Sequence, residues 1–131
     1  MPEKPVLYII RGLPGSGKST VARKLVDADR VFEADQYFMV DGVYRFDARL
    51  LKYAHAQCQE SVELAMHDRT RDIAVANTFT RYWEFAWYRE AAKRHDFSVC
   101  VMVCDNDYGN IHGVPAEKIE EMRERFEHFD Y

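Results

Sequence analysis

The sequence predicts an α/β protein built on a mostly parallel sheet of about four or five strands flanked by helices. Short apolar runs alternate along the chain with longer segments in which apolar residues recur at helical spacing. The short runs are continuously apolar, which is typical of parallel strands that are covered by helices on both faces. The runs that predict strands lie at 6–11, 31–34, 73–76 and 97–104.

Four helices are predicted around these strands. The first covers 18–28, and the second follows Asp47, a residue type that caps helix N-termini. Asp41-Gly42 signals a turn before the second helix. The third covers Tyr82–Arg94, and the fourth begins at Pro115, because proline suits the first helical position. The side chains expected to be buried are Leu51, Ala54, Cys58, Val62, Ala65 and Met66 on the second helix, Trp83, Ala86, Trp87 and Ala91 on the third, and Ile119, Met122, Phe126 and Phe129 on the fourth.

Length and composition limit the class of protein. With 131 residues, 47% of them apolar and 31% charged, the chain predicts one soluble domain over 1–131. The net charge of −4 argues against a broad phosphate-binding surface, so a nucleic-acid partner would be held at a few points or by its end. No apolar stretch is long enough to span a membrane and the N-terminus lacks a signal-peptide core, which favours a cytoplasmic protein with no membrane partner.

The three cysteines are expected to be free thiols in a reducing compartment. Cys100 and Cys104 lie on one predicted strand, where four residues span about 13 Å. Thiolates that bind zinc lie ~2.3 Å from the ion, so these two cannot share one. The sequence therefore predicts buried structural thiols and no structural metal.

A glycine-rich loop between the first predicted strand and the first predicted helix is the strongest motif. It fits the phosphate-binding pattern G-x4-G-K-[S/T], extended by a threonine, and its residues are Gly12, Leu13, Pro14, Gly15, Ser16, Gly17, Lys18, Ser19 and Thr20. Glycines let backbone N–H groups turn toward phosphate oxygens, and the helix N-terminus adds partial positive charge. Lys18 is placed to reach the β- and γ-phosphates, and the Ser19 hydroxyl to bind Mg²⁺. The motif predicts ATP and Mg²⁺ as ligands, although GTPases, motor ATPases and kinases share it.

Further motifs, in order along the chain, resemble those of the polynucleotide 5′-hydroxyl-kinase-like P-loop kinases. They are RGLPGSGKST at 11–20, ADQYF at 34–38, Tyr44 and Phe46 with Ala54-His55, VANTFT at 75–80 with Trp83-Glu84, and HGVP at 112–115 with Ile119, Met122 and Arg125. The resemblance implies a kinase-type P-loop NTPase core. It also implies an ATP-dependent kinase that phosphorylates a hydroxyl of a nucleic acid or nucleotide, either a 5′-hydroxyl end or a hydroxymethyl group on a modified base. Two observations favour a kinase over the other P-loop classes. The sequence has no Asn-Lys-x-Asp motif, which a guanine-specific switch normally shows, and it is shorter than the core that a motor ATPase usually needs.

Residue chemistry and the resemblance together suggest roles for several side chains. Asp35 matches the general base of the family, and a carboxylate after the second strand would face the crevice beside the phosphate loop. Asn77 and Thr78 end the next strand, where they would hydrogen-bond the acceptor, a magnesium-bound water or only the turn. Tyr37 and Phe38 are placed to stack on a base or to pack in the core.

Two positions depart from the family pattern. Ala76 stands where the family has an aspartate, so the second carboxylate near Mg²⁺ is missing there. The segment 107–111, which includes Gly109, lacks the arginine that would stabilise charge on the transferring phosphoryl group. The candidate replacements are Arg81 and Arg125 as catalytic residues, with Arg123 as a third arginine, and Asp105 and Asp107 as metal carboxylates. His112 is a separate candidate, either a contact to a phosphate or the adenine or a structural residue.

Two other functions stay open on the sequence. One is a nucleotide-binding module that has lost transfer chemistry, which Ala76 and the missing arginine favour. The other is a small-molecule kinase that acts on a nucleoside or a sugar. Acceptor-dependent turnover separates the first of these from a kinase, and competition between acceptors separates the second.

Overall fold

A four-stranded parallel sheet forms the centre of the structure, a computed structural model that describes residues 3–106 and 113–128. The strands along the chain are β1 (Val6–Gly12), β2 (Val31–Phe32), β3 (Met39–Val40), β4 (Val43–Tyr44), β5 (Ile73–Asn77) and β6 (Ser98–Cys104). The order in the sheet is β2-β5-β1-β6, and β3 pairs with β4 in a separate antiparallel hairpin. This arrangement confirms the predicted parallel α/β fold.

Helices cover both faces of the sheet. They are α1 (Lys18–Leu25), α2 (Leu51–Ala65), α3 (Tyr82–Arg94) and α4 (Ala116–Arg125). On one face, Leu7 and Ile9 of β1 belong to a core that includes buried residues of α2 and α3. On the other face, Ile10 of β1 and Ala22 of α1 belong to a second, smaller core. Side chains of successive strand residues point to opposite faces, so one apolar strand serves both cores.

Several predicted boundaries need correction. The backbone of Val26 is extended, so α1 ends at Leu25 and not at residue 28. β2 has only two residues, because a 3₁₀ helix, Ala34–Phe38, begins almost at once. Asp47 accepts a hydrogen bond from the Arg49 N–H at 3.0 Å, and it caps the 3₁₀ helix Ala48–Leu50 rather than α2 itself. Leu51 is therefore exposed at the start of α2.

The predicted buried face of α3 is confirmed at Ala91 and wrong at Trp83, while Ala86 and Trp87 are half-buried. Phe85, Tyr88, Ala91 and Ala92 are the buried residues, while Trp83 is 75% exposed. Both sets recur at helical spacing, so periodicity does not choose between them. Contacts with Phe79, in the connection from β5, determine which face is buried. The ring of Phe79 packs edge-on against those of Phe85 and Tyr88, with centroid distances of 5.8 and 5.5 Å.

β6 is an edge strand of the described sheet, which explains a second difference. Cys100 is exposed and Cys104 half-buried, so the expectation of buried thiols holds for Cys58 and is wrong for Cys100. On α4, Ile119 and Met122 are half-buried on one face, and Phe126 follows the last helical residue. Phe129 lies outside the described residues. Within the described parts of the chain, no helix has the length and apolar character that crossing a membrane requires.

Candidate functional site

The phosphate loop joins β1 to α1, and its backbone requires glycine. Gly15 and Gly17 have φ angles of 80° and 95°, in the left-handed region that side chains disfavour. A Cβ atom at Gly12 would lie 2.3 Å from Ser16 Oγ and 2.6 Å from the Cys104 carbonyl oxygen, too close for any other residue. The N-cap residue of α1 is Gly17, which has no side chain to bond the first N–H groups, and N–H groups at a helix N-terminus favour an anion.

Lys18 bends back over this loop. Its Nζ donates hydrogen bonds to the carbonyl oxygens of Gly12 at 2.8 Å and Leu13 at 3.0 Å. Burial lowers the pKa of Lys18, and the nearby negative charges of Glu33 and Asp35 oppose that shift. Because both present acceptors are neutral carbonyls, an anionic phosphate oxygen is a stronger partner for the ammonium group.

Ser16 supports the same interpretation of the loop. Its Oγ is buried and has no hydrogen-bond partner within the described residues. A buried hydroxyl without a partner is unfavourable, and a phosphate oxygen held in the loop would supply one. The loop therefore combines a lysine, a hydroxyl and open N–H groups around one anion-sized position.

Ser19 and Glu33 form a pair that suits a divalent cation. The Ser19 hydroxyl donates a short hydrogen bond to the Glu33 carboxylate, which follows β2 directly. No cluster of three or more His, Cys, Asp or Glu side chains among residues 3–106 and 113–128 could hold a metal ion. This donor set fits Mg²⁺, which is commonly bound by one or two protein oxygens and completes its shell with water and nucleotide phosphates.

Glu33 is the site residue that the sequence analysis missed. Glu33 follows β2, whereas Ala76, where the family pattern has a carboxylate, lies on β5 and is buried in the same core as Ala22 of α1. The rule that selected Asp35 applies equally to Glu33, because both residues follow the carboxyl end of β2. Glu33 was not recognised as a residue that follows a strand, because the predicted strand 31–34 included it.

Asp35 lies half-buried on the 3₁₀ helix Ala34–Phe38 beside the loop. The Tyr44 hydroxyl donates a hydrogen bond to Asp35 Oδ1 at 3.2 Å. Burial and the neighbouring Asp35 carboxylate raise the pKa of Tyr44 to about 12, so the phenol stays protonated at neutral pH. The Tyr44 hydroxyl is thus a fixed hydrogen-bond donor that orients one carboxylate oxygen of Asp35.

Asn77 supports the segment that carries Asp35. Its Oδ1 accepts a hydrogen bond from the Ala34 N–H at 2.8 Å, and its Nδ2 lies 3.8 Å from Cys58 Sγ. The carbonyl oxygen of Thr78 accepts a hydrogen bond from the Gly12 N–H at 3.3 Å. Asn77 therefore connects β5 to the 3₁₀ helix Ala34–Phe38, and Thr78 connects the end of β5 to β1. These internal contacts are what the structure shows for Asn77 and Thr78, two of the predicted substrate-binding residues.

Tyr37 and Phe38, which the sequence suggested for either stacking or core packing, have different surroundings in the structure. Phe38 is only 2% exposed, so it belongs to the core and cannot stack on a ligand. Tyr37 is half-buried, and its ring meets Phe38 edge-on at 5.4 Å. Tyr37 thus retains a partly accessible ring close to Asp35.

The three candidate arginines lie in different surroundings. Arg81 is exposed just before α3, and its backbone N–H is bound by the Glu84 carboxylate at 3.1 Å. Arg125 donates from Nε to Thr80 Oγ1 at 3.1 Å. Arg123 lines a cavity beside the phosphate loop and pairs with Glu120 at 2.7 Å. Asp107, Gly109 and His112 lie outside the described residues.

This cavity has a volume of about 320 Å³ and lies between the loop, the end of β6 and α4. Its walls include Leu13, Pro14, Val103, Ile119 and Phe126 as apolar residues and Asp105, Asn106 and Arg123 as polar ones. β6 and β2 lie on opposite sides of β1, so the cavity and Asp35 lie on opposite sides of the phosphate loop. A nucleotide can therefore place its base in the cavity and its terminal phosphate toward Asp35.

Arg11 braces the end of α4 against the sheet. Its fully buried guanidinium donates from Nε to the Phe79 carbonyl at 2.8 Å and from Nη2 to the Glu127 carbonyl at 2.6 Å. It also lies 4.3 Å from the ring centroid of Phe126, a wall of the cavity, and 4.8 Å from that of Phe85. One residue of β1 thereby connects the cavity with the β5–α3 connection.

The fold and the loop define a P-loop protein of the kinase type. The AAA_33 family of AAA domains matches residues 7–113, and the chain belongs to this family. Human NEDD4-binding protein 2 is 34% identical over 136 residues, which cover 95% of this chain and 8% of that protein. The chain spans about a tenth of the length of the curated relatives it matches.

Two solved structures share the fold at low sequence identity. The Pnkp1/Rnl/Hen1 complex aligns with a TM-score of 0.62 and 20% identity, over 92% of this chain and 40% of the other. The APS kinase CysC of Mycobacterium tuberculosis, in complex with AMPPNP and APS, aligns with a TM-score of 0.55 and 20% identity, over 92% and 69%. These likenesses confirm the kinase-type arrangement of strands and helices.

Proposed function

We propose that the chain is an ATP-dependent kinase that transfers the γ-phosphoryl group to a hydroxyl of a nucleic acid or nucleotide. The observation that carries the proposal is the convergence of Lys18, the Ser19–Glu33 pair and Asp35 at the carboxyl ends of β1 and β2. Ligands of open α/β sheets bind at this edge. The resemblance to polynucleotide kinases supports the choice of acceptor.

Each group has a distinct part in the proposed transfer. Backbone N–H groups of the loop and the start of α1 hold the phosphates, and Lys18 neutralises charge on the β- and γ-phosphates. Ser19, with Glu33 beside it, would hold Mg²⁺, which supplies further charge neutralisation when bound. The cavity beside Phe126 accepts the base of ATP.

Asp35 acts as the general base. The acceptor oxygen attacks the γ-phosphorus while its proton passes to the Asp35 carboxylate, and the bond from that phosphorus to the β–γ bridging oxygen breaks to release ADP. Tyr44 and Asn77 keep the carboxylate in place, Tyr44 through its hydroxyl and Asn77 through the Ala34 N–H. Arg81 and Arg125 are the proposed sources of positive charge near the transferring group, whereas Arg123 lines the cavity proposed for the base.

Transfer of radiolabelled γ-phosphate from ATP with Mg²⁺ tests this function. The acceptor panel holds 5′-hydroxyl DNA and RNA oligonucleotides, hydroxymethylated DNA, free nucleosides and a control without acceptor. We expect label on one nucleic-acid or nucleotide acceptor and none with Lys18→Ala, whose folded state is checked by circular dichroism.

The other outcomes assign the other functions. Label on a free nucleoside alone would indicate a small-molecule kinase. ATP binding without transfer to any acceptor would contradict the proposal and indicate a nucleotide-binding module, the function that Ala76 favours.

A further inference from the structure

Exposed apolar side chains concentrate on one short segment near Asp35. Among the described residues, twelve large hydrophobic side chains are exposed, and seven of them lie within positions 39–53. These seven are Met39, Val40, Val43, Phe46, Leu50, Leu51 and Tyr53. Scattered exposed apolar residues are ordinary, whereas a concentration of them marks an interaction surface.

The hairpin at the start of this segment has a defined geometry. Asp41 and Gly42 have φ angles of 50° and 79°, as a two-residue type I′ turn requires. The Arg45 N–H donates to the Phe38 carbonyl oxygen at 2.8 Å after the hairpin closes. Because Phe38 is buried in the core, this bond fastens the exposed segment to the body of the protein.

Tyr44 and Phe46 form what we call the aromatic shelf. Their ring centroids are 6.5 Å apart and their planes differ by only 17°. Both rings rest edge-on against the buried Phe38, at 6.3 and 5.1 Å, and Phe46 is 54% exposed. Two nearly parallel rings on a fixed support offer a flat face for another ring.

The shelf is directly connected to the proposed catalytic base. The hydroxyl of Tyr44, itself part of the shelf, donates a hydrogen bond at 3.2 Å to the Asp35 carboxylate, which would take the acceptor proton. A molecule whose hydroxyl lies at Asp35 has the ring of Tyr44 as a direct neighbour. A sugar or another small aliphatic alcohol has no planar group to place there.

The charge of the segment agrees with a nucleic-acid ligand. Positions 39–53 hold three basic residues, Arg45, Arg49 and Lys52, and two acidic ones, while the whole chain has a net charge of −4. Arg49 pairs with Asp47 at 2.8 Å, whereas Arg45 is exposed next to the shelf. A local excess of positive charge beside aromatic rings is typical of sites for single-stranded nucleic acid.

We propose that the aromatic shelf binds the base of the terminal nucleoside of a single-stranded nucleic-acid acceptor, whose hydroxyl then lies at Asp35. The proposal rests on the proposed function and specifies its acceptor. Stacking tolerates any base, because every base presents a π-face. The next phosphodiester group of the strand would lie toward Arg45.

Direct binding tests the shelf independently of phosphoryl transfer. Fluorescence anisotropy is measured with a 3′-labelled 5′-hydroxyl trinucleotide and with a matched trinucleotide whose first residue is abasic. We expect Phe46→Ala to weaken binding of the first on the order of 10- to 100-fold and Phe46→Tyr to restore it, because one stacked base is lost and regained. Leu64→Ala, at an equally exposed apolar residue far along α2, is the matched control and should bind like the parent.

The abasic ligand and the parent protein give the contradicting outcomes. The shelf is not a base site if the parent does not bind the trinucleotide, or if Phe46→Ala binds it as tightly as the parent. The same conclusion follows if Phe46→Ala weakens binding of the abasic ligand by the same factor as binding of the intact one. Binding that depends on the shelf, without transfer of γ-phosphate, would support the shelf as a base site and contradict only the kinase function. Thermal melting of each variant excludes unfolding as the cause.

Discussion

Replacing Arg11 by methionine tests the brace between β1, the β5–α3 connection and the end of α4. Within residues 3–106 and 113–128, Arg11 donates hydrogen bonds to the backbone carbonyls of Phe79, Thr80 and Glu127, and each such bond to a charged group contributes ~1.5–3 kcal/mol. The two aromatic contacts of the guanidinium add ~0.5–2 kcal/mol each. Methionine regains the several kcal/mol that burying the charge costs and fills much of the space, so we expect a net loss of about 2–4 kcal/mol.

Urea unfolding followed by circular dichroism measures this loss, which corresponds to a fall in Tm of roughly 8–15 °C. Arg11→Lys is the informative second variant. It keeps the charge, but an ammonium group cannot reproduce the planar fork that reaches three carbonyls, so we expect it to be nearly as unstable. An Arg11→Met protein that unfolds at the urea concentration of the parent would refute the assignment of Arg11 as a brace.

Two further predictions concern the site. Glu33→Gln should weaken Mg²⁺ binding to the protein–ADP complex about tenfold or more, because the carboxylate beside Ser19 is lost; calorimetric titration with Mg²⁺ measures this, and unchanged affinity would remove Glu33 from the metal site. Burial lowers the pKa of His55, and the negative charges of Glu84 and Asp35 partly oppose that shift. Below pH ~6.5 the imidazole therefore binds a proton more readily in the unfolded chain than in the folded one. Stability should therefore fall from pH ~7.5 to ~5 more steeply in the parent than in His55→Gln, and equal slopes would contradict a half-buried His55 that stays neutral in the folded state.

Local sequence pattern was sufficient to propose part of the candidate site. The phosphate loop was predictable because its glycines, Lys18 and Ser19 are adjacent in sequence and each has a chemical reason to be there. Asp35 was predictable from its position after a strand. Glu33 obeys the same rule, and it was missed only because the strand before it is shorter than its apolar pattern suggested.

Features that depend on distant contacts were not predictable. Arg11 is bound by carbonyls 68 to 116 residues away, and its own neighbours in sequence give no sign of them. The buried face of α3 depends on where Phe79 enters the core, and two faces of that helix have equivalent spacing. The exposure of Cys100 follows from the place of β6 at the sheet edge, which strand hydrophobicity alone does not specify.

The most direct test of the proposed chemistry is single-turnover phosphoryl transfer by Asp35→Asn to the best acceptor of the panel. The parent and the variant are compared at saturating ATP, and ATP affinity is measured in parallel. We predict transfer slower by ~10²–10⁴ with unchanged ATP affinity, because the variant keeps the phosphate loop and loses the proton acceptor. Transfer at the parental rate would contradict the role of Asp35 and the mechanism built on it.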